Sequence, residues 1–196
     1  MAKITFTNKT DSQVSELPAA QKVSASDLNE IKTSVNALHD VTGWEFHQDS
    51  SGAQVVSVTP AVFTVDSLGA ATNISYAPLE IRGTGVKMFE SDVIAPINIG
   101  DTYDLRVGLS LASKTGAPAY LLFQLDIGGG ASPSNVIAER TISTTKLPFV
   151  TNISFPIFTL ATFIANGGKI FVSCDAGTIT LDAKDIMLVR TSANLV

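Results

Sequence analysis

The first amphipathic segment of the chain covers residues 24 to about 41. Its apolar residues Leu28, Ile31, Val35 and Leu38 recur at intervals of three, four and three, with polar residues between them. This spacing predicts an α-helix with a narrow apolar stripe, which is typical of a seam between helices. A helix of this length is marginal on its own in water. We therefore expect a short bundle of such helices around a symmetry axis, with packing on the chain's own globular domain as the alternative.

From about residue 50 onward the pattern changes to the period of two that marks half-buried strands. Apolar and polar residues alternate over 103–111, and apolar residues occupy every second position over 121–127. Turn signals separate about ten such segments, including 158–163, 178–181 and 185–190, with no second helical stretch. The count and spacing predict a mainly β fold, an antiparallel jelly-roll sandwich preceded by one short N-terminal α-helix and an extended N-terminal arm.

These patterns divide the chain into an arm over residues 1–22, a helical stem over 23–48 and a sandwich over 49–196. The arm is polar, and a segment of this kind orders only against a partner. Trp44 and Phe46 follow the helix directly, and Trp44 is the only tryptophan. We expect both aromatic side chains to pack between the stem and the sandwich.

Composition narrows the choice of partners. Apolar residues make up 45% of the chain, charged residues 16%, and the mean hydropathy is +0.28. Such a chain has apolar surface to spare, which favours self-association. The net charge is −5 and basic residues form no cluster, so we expect neither nucleic acid nor a membrane as a partner. The N-terminus has no apolar signal segment, and Cys174 is the only cysteine, so we expect synthesis in a reducing cytosol.

Two stretches resemble parts of known proteins. Residues 17–32, LPAAQKVSASDLNEIK, and their continuation SVNAL at 34–38 resemble the N-terminal stems of bacteriophage fibre and appendage proteins. Residues 158–168 and 186–190 are similar in character to the TNF-like jelly rolls that cap many phage fibres. This resemblance implies a homotrimer whose N-terminal end docks to the virion and whose C-terminal knob faces outward. Head fibre, tail fibre and capsid decoration proteins share that layout.

The two histidines, His39 and His47, both lie near the junction of stem and sandwich. Zinc needs three or four protein ligands, which one histidine from each chain of a trimer would supply. The simpler interpretation is that His39 follows the helix stripe and that His47 sits in a polar loop beside Gln48 and Asp49. We favour it and expect no metal and no cofactor.

Residues with catalytic potential have structural explanations. Cys174 shares a predicted strand face with Ile170 and Val172, which indicates a buried, inert thiol. Glycosidase chemistry needs two close carboxylates. The pairs that lie close in sequence are Asp101 with Asp104, Glu90 with Asp92, and Asp182 with Asp185. All fall at predicted strand ends, where solvated acids are expected, so we predict that the protein is not an enzyme.

The most open loop follows the second alternating strand. Its candidate receptor-facing residues are Gly128, Gly129, Gly130, Ser132 and Asn135, with a plain flexible connection as the alternative. The acidic residues Asp126 and Asp175, which flank glycine-containing turns, are candidate calcium ligands. Neither has regularly spaced acidic neighbours, so turn formation is the better interpretation.

Together these features predict a structural phage virion protein, made in the host cytoplasm and incorporated into the particle. It would form a homotrimeric head or tail fibre that binds another virion protein, of the capsid or tail, through residues 1–22. The outward knob is a candidate for binding host-surface glycan. The alternatives are a capsid decoration protein without receptor binding and a jelly-roll enzyme that cleaves glycans.

Overall fold

The computed structural model describes residues 25–40, 43–49, 53–65, 88–146 and 149–192. The arm predicted over 1–22 lies outside these ranges. Helix α1 spans Ala25–Asp40, as the apolar spacing predicts. Within α1 the described side chains are those of residues 27–33 and 35, so Leu38 and His39 are placed only by their backbone.

Short and long strands follow the helix, with one further helix near the end of the chain. In order they are β1 (Gly43–Asp49), β2 (Gln54–Ser57), β3 (Ala61–Val62), β4 (Phe89–Glu90), β5 (Val93–Ile94), β6 (Thr102–Thr115), β7 (Tyr120–Asp126), β8 (Val136–Ser143), β9 (Phe149–Phe158), α2 (Ala161–Asn166), β10 (Lys169–Cys174) and β11 (Thr178–Ser192).

The strands form two packed antiparallel sheets. The first has the order β1-β11-β6-β9, with β2 also paired to β11, and the second has the order β3-β10-β7-β8. The small hairpin β4–β5 is separate from both. From β6 onward every connection crosses between the two sheets or joins neighbouring strands of one sheet, which is the wiring of a jelly roll. The predicted fold class is confirmed.

Alternation along the long strands builds the core between the sheets. In β6 the side chains of Tyr103, Leu105 and Val107 point inward and are at most 2% exposed. Their partners across the sandwich include Phe123 of β7, which makes an edge contact with Phe63 at a ring distance of 5.8 Å. Each fully buried side chain of this size contributes roughly 1.5–3 kcal/mol. The period-two pattern therefore predicted the core face correctly.

The stem was predicted to extend to residue 48, and this boundary is wrong. The helix ends at Asp40, and residues 43–49 form β1, which pairs with β11 from Gly43 opposite Arg190 to Asp49 opposite Lys184. Strand β11 is 15 residues long, and its N–H and C=O groups need partners along both edges. The segment after the helix supplies those partners, so it belongs to the sandwich.

The strand predicted over 158–163 is also wrong, and so is the absence of a second helix. Strand β9 ends at Phe158, and α2 follows after Leu160. The turn of helix places Phe163 fully in the core while leaving Ile164 39% exposed. The two closing strands predicted over 178–181 and 185–190 are one strand, β11, with a register shift between Leu181 and Lys184.

Candidate functional site

The apolar stripe of α1 faces solvent in the single chain. Leu28 is 41% exposed, Ile31 55% and Val35 37%. Opposite the stripe on the helix, the Thr33 hydroxyl donates to the carbonyl of Asn29 at 2.8 Å. The described stripe residues thus share one side of the helix, as predicted for a seam.

A second candidate surface is the outward face of the first sheet. The strand register aligns Phe46, Met187, Arg106 and Ser154 in one row across β1, β11, β6 and β9. The next row aligns Asp185 of β11 with Gly108 of β6 and Asn152 of β9. Between these two rows lies an open surface depression of about 410 Å³, which we call the outer-face pocket. The residues that line it are Phe46, Arg106, Asn152, Ile153, Ser154, Asp185 and Met187.

The Asp185 carboxylate can take its place beside the outer-face pocket because residue 108 has no side chain. The carboxylate of Asp185 lies directly over Gly108, where a Cβ would overlap both of its oxygens. Burial raises the pKa of the Asp185 carboxyl, against the lowering effect of a hydrogen bond from the Gly108 backbone. A half-buried carboxylate on a sheet face has lost part of its hydration and remains a strong hydrogen-bond acceptor.

The polar rim of the pocket contains one ion pair. The guanidinium of Arg106 donates through Nε to Asp104 at 2.8 Å, and the two side chains are 58% and 29% exposed. With Asp185, the immediate surroundings therefore hold one positive and two negative groups. The pocket presents donors and acceptors side by side without a net positive charge.

Trp44 and Phe46 both project from the outward face of β1. Trp44 is 39% exposed and lies in the row nearest the helix, opposite Val189. Phe46 lies one row further from the helix and lines the outer-face pocket. Packing of Trp44 against the stem remains a prediction, whereas Phe46 has a place in the pocket wall.

The glycine-rich loop predicted to face a receptor is organised around one carboxylate. Asp126 is 1% exposed and accepts hydrogen bonds from the N–H groups of Gly128 (2.9 Å), Ser134 (2.7 Å) and Asn135. The ammonium of Lys169 donates to the carbonyl of Gly130 at 3.1 Å. The loop is therefore held by specific bonds rather than being a plain flexible connection. Because backbone donors surround the Asp126 carboxylate, its geometry is that of a turn and not of a cation site.

Within this loop, Gly129 has φ +74°, a backbone conformation that favours glycine, and lies against Asn166 at the end of α2. Of the candidate residues, Gly129, Ser132 and Asn135 are exposed, whereas Gly128 and Gly130 are half-buried. Their role in receptor binding remains a prediction.

Sequence reasoning missed a set of buried charged residues on the inward side of β1. Glu45 is 2% exposed and accepts hydrogen bonds from the N–H groups of Met88 (2.9 Å) and Phe89 (2.7 Å). His47, predicted to sit in a polar loop, is instead buried in the strand. Its Nε2 lies 3.5 Å from Glu45, and its ring meets the edge of Phe89 at 4.8 Å. Glu45 thus ties the β4–β5 hairpin to the first sheet.

Asp101 was predicted to be a solvated acid at a strand end, and this is wrong. It is fully buried, pairs with the Arg190 guanidinium at 2.7 Å, and accepts hydrogen bonds from the Tyr103 hydroxyl and the Asn98 N–H, each at 3.0 Å. Burial raises the pKa of the Tyr103 phenol well above its usual range. Asp104, by contrast, lies at the surface with Arg106. The two acids of this candidate pair therefore occupy different environments and do not face a shared site.

The other candidate groups are placed as follows. Cys174 is buried in β10 as predicted, and desolvation raises the pKa of its thiol. Asp175 accepts hydrogen bonds from the N–H groups of Ala119 (2.9 Å) and Tyr120 (3.2 Å), so it links the turn after β10 to the start of β7. Among the described residues, no three histidine, cysteine or acidic side chains come together in a way that would hold a metal ion.

No helix in the described ranges is long and apolar enough to cross a membrane. No protein-family model and no curated protein sequence matches the chain. Among solved structures, the chain is similar to the Eiger TNF from S. frugiperda, at 13% identity and a TM-score of 0.46 over 79% of this chain and 96% of that one. It is also similar to PRD1 vertex protein P5, at 15% identity and a TM-score of 0.49 over 79% and 99%.

A third similar structure is that of Bacillus endospore appendages, at 13% identity and a TM-score of 0.35 over 76% of this chain and 89% of that one. The jelly-roll assignment rests on strand order and register, not on these likenesses.

Proposed function

We propose that the chain is a structural virion protein that assembles as a homotrimeric head or tail fibre. Residues 1–22 bind another virion protein, of the capsid or tail, and the sandwich forms an outward knob that binds host-surface glycan. The virion assignment is supported by the resemblance of the stem, residues 17–38, to phage fibre and appendage stems. The assembly is supported chiefly by one observation, the exposed apolar stripe of α1.

The physical argument for assembly starts from the exposure of the stripe. Full burial of a Leu, Ile or Val side chain gains about 1.5–3 kcal/mol. Leu28, Ile31 and Val35 keep roughly 40–55% of their surface in water, so each can gain on the order of 1 kcal/mol on association. Three parallel copies of α1, with Leu38 continuing the stripe towards the sandwich, would bury these side chains around a common axis.

Light scattering of the full chain tests the assembly. We expect a mass about three times the 20.6 kDa of one chain. Replacing Ile31 or Val35 by aspartate would place three carboxylates near one axis, and we expect dissociation to monomers because like charges at short range repel. Thr33→Asp is the matched control, since Thr33 lies on the opposite side of the helix and is exposed. A wild-type chain that stays monomeric at high concentration, or an Ile31→Asp trimer, would contradict the bundle.

Co-sedimentation with intact particles tests the virion assignment separately. The full chain should bind particles that lack it, and a chain without residues 1–22 should remain trimeric but stay unbound. If particles bind and no glycan is recognised, the protein is a capsid decoration protein. The candidate acid pair Asp101–Asp104 does not support the glycan-cleaving alternative, since Asp101 is held in a buried ion pair with Arg190.

A further inference from the structure

The outer-face pocket combines an apolar wall with polar groups of both hydrogen-bonding kinds. Phe46 supplies an aromatic ring and Met187 a thioether on the β1–β11 side. Across the pocket, β6 and β9 contribute the guanidinium of Arg106, the amide of Asn152 and the hydroxyl of Ser154. Sites for small ligands have this composition, a mainly apolar surface with a few convergent polar groups, and its 410 Å³ falls within their usual size.

The strands hold these groups at fixed spacing. Neighbouring strands lie about 4.8 Å apart, and side chains on one face repeat about every 6.7 Å along a strand. Asp185, Gly108 and Asn152 lie in one row, so an acceptor-only group and an amide with both donor and acceptor flank a bare backbone position. Groups fixed on strands lose little freedom when a ligand binds.

The charges around the pocket narrow the class of ligand. Arg106 is already paired with Asp104 at 2.8 Å, and Asp185 adds a second negative charge. A phosphate or sulfate would meet net negative charge and would be repelled. A neutral ligand with hydroxyl groups would instead donate to Asp185 and accept from Arg106 and Asn152, while its C–H surface lies on Phe46.

We infer that the outer-face pocket binds one neutral sugar ring of a glycan, with Asp185 accepting hydrogen bonds from adjacent hydroxyls and Phe46 stacking on the ring's apolar side. This inference rests on the proposed function, in which the knob recognises glycan, and moves the recognition site from the loop at 128–135 to the sheet face. Gly108 positions the Asp185 carboxylate, because any larger residue at 108 would displace it.

Saturation-transfer NMR and calorimetric titration of the full chain provide the test. The probes are methyl α-D-mannoside, methyl β-D-galactoside and methyl N-acetyl-β-D-glucosaminide at millimolar concentration, with inorganic phosphate as the anion. We expect at least one glycoside to bind and phosphate not to bind. Failure of all three glycosides, or binding of phosphate in their place, would overturn the inference.

Three variants locate the binding. Asp185→Asn and Phe46→Ala should each weaken glycoside affinity about tenfold, the scale of one lost charged hydrogen bond or ring contact. Gly108→Ala should do the same with every polar group retained, because it only shifts the Asp185 carboxylate. Asp182→Asn is the matched control, an exposed acid on the same strand outside the pocket, and should bind like the wild type.

Light scattering on the same samples separates this inference from the proposed function. Trimeric variants that lose glycoside binding support the pocket as the sugar site. If Phe46→Ala or Asp185→Asn instead changes the oligomeric state, the outward face is a subunit interface and the sugar site is refuted, while trimeric assembly stands. If the wild type binds a glycoside as a monomer, the sugar site stands and the trimer fails.

Discussion

Replacing Asp101 by asparagine should destabilise the sandwich far more than replacing Asp104 in the same way. Asp101 is fully buried and pairs at 2.7 Å with Arg190, which is itself only 5% exposed. Asparagine has nearly the same size and keeps one acceptor oxygen, but it removes the carboxylate charge that faces the guanidinium in the protein interior. Removing one partner of a buried pair costs about 3–5 kcal/mol, and we expect the lower end, about 3 kcal/mol, because the amide oxygen still accepts a hydrogen bond.

Asp104 is the matched control, because it is three residues away and pairs with Arg106 at 2.8 Å. Its side chain is 29% exposed and that of Arg106 is 58% exposed. Water solvates the remaining charge there, so Asp104→Asn should cost less than about 1 kcal/mol. Since whole domains are stable by only about 5–15 kcal/mol, the two variants should be clearly separated.

The assay is equilibrium unfolding in urea, followed by circular dichroism at one fixed chain concentration, since assembly makes stability depend on concentration. A third variant, Asp101→Asn with Arg190→Met, removes both charges and should be less destabilised than the sum of its single changes. The reasoning is refuted if Asp101→Asn and Asp104→Asn lose equal stability within about 1 kcal/mol, or if the double variant shows no coupling.

Three further predictions follow from single groups. Asp126→Ala leaves the N–H groups that converge on it without an acceptor, so limited proteolysis should cut the loop at 128–135 faster, whereas Ser132→Ala should leave the cleavage rate unchanged. Desolvation raises the pKa of Asp175, but hydrogen bonds from the N–H groups of Tyr120 and Ala119 outweigh it, so the pKa of this carboxyl is lower in the folded chain. The stability that the ionised carboxylate contributes is therefore present above its ordinary pKa of 3.8 and is lost as pH falls through the lower folded value. Asp175→Asn should flatten the acid limb of the curve of stability against pH. The buried Cys174 thiol, whose pKa is raised by desolvation, should react with an aromatic disulfide reagent only at the rate of unfolding, and rapid labelling of the native protein would contradict its burial.

The residues of β1 show where the pattern of polar and apolar residues no longer predicts which side chains are buried. Between Gly43 and Asp49 polar and aromatic residues alternate, but the prediction places this segment in the helical stem. The usual rule for a strand would also place Trp44 and Phe46 inside. The structure does the reverse and buries Glu45 and His47. The reason is tertiary, because the β4–β5 hairpin covers this edge of the core and its N–H groups at Met88 and Phe89 need an acceptor.

The same limit applies to the charged residues. An isolated Asp101 or Arg190 is most often solvated, and nothing nearby in sequence marks it as buried. The pair exists because β6 and β11 run antiparallel with Tyr103 opposite Arg190, which brings residues about ninety positions apart into contact. The outer-face pocket also depends on tertiary structure, because the register of β1, β11, β6 and β9 places residues from four strands side by side.

What the sequence determined by itself was the stem helix and the long strands with their core faces. The spacing from Leu28 to Val35 specified the stem helix, and the alternation over 103–111 and 121–127 specified long strands, their core faces and hence a jelly-roll sandwich. Local periods depend only on backbone geometry, so they are visible without a partner. The tertiary structure alone decided the strand role of residues 43–49, the buried partners of Glu45 and Asp101, and the union of Phe46, Arg106 and Asp185 in one pocket. Those outcomes depend on which distant segment supplies a hydrogen bond or a counter-charge, and that information lies in the strand register.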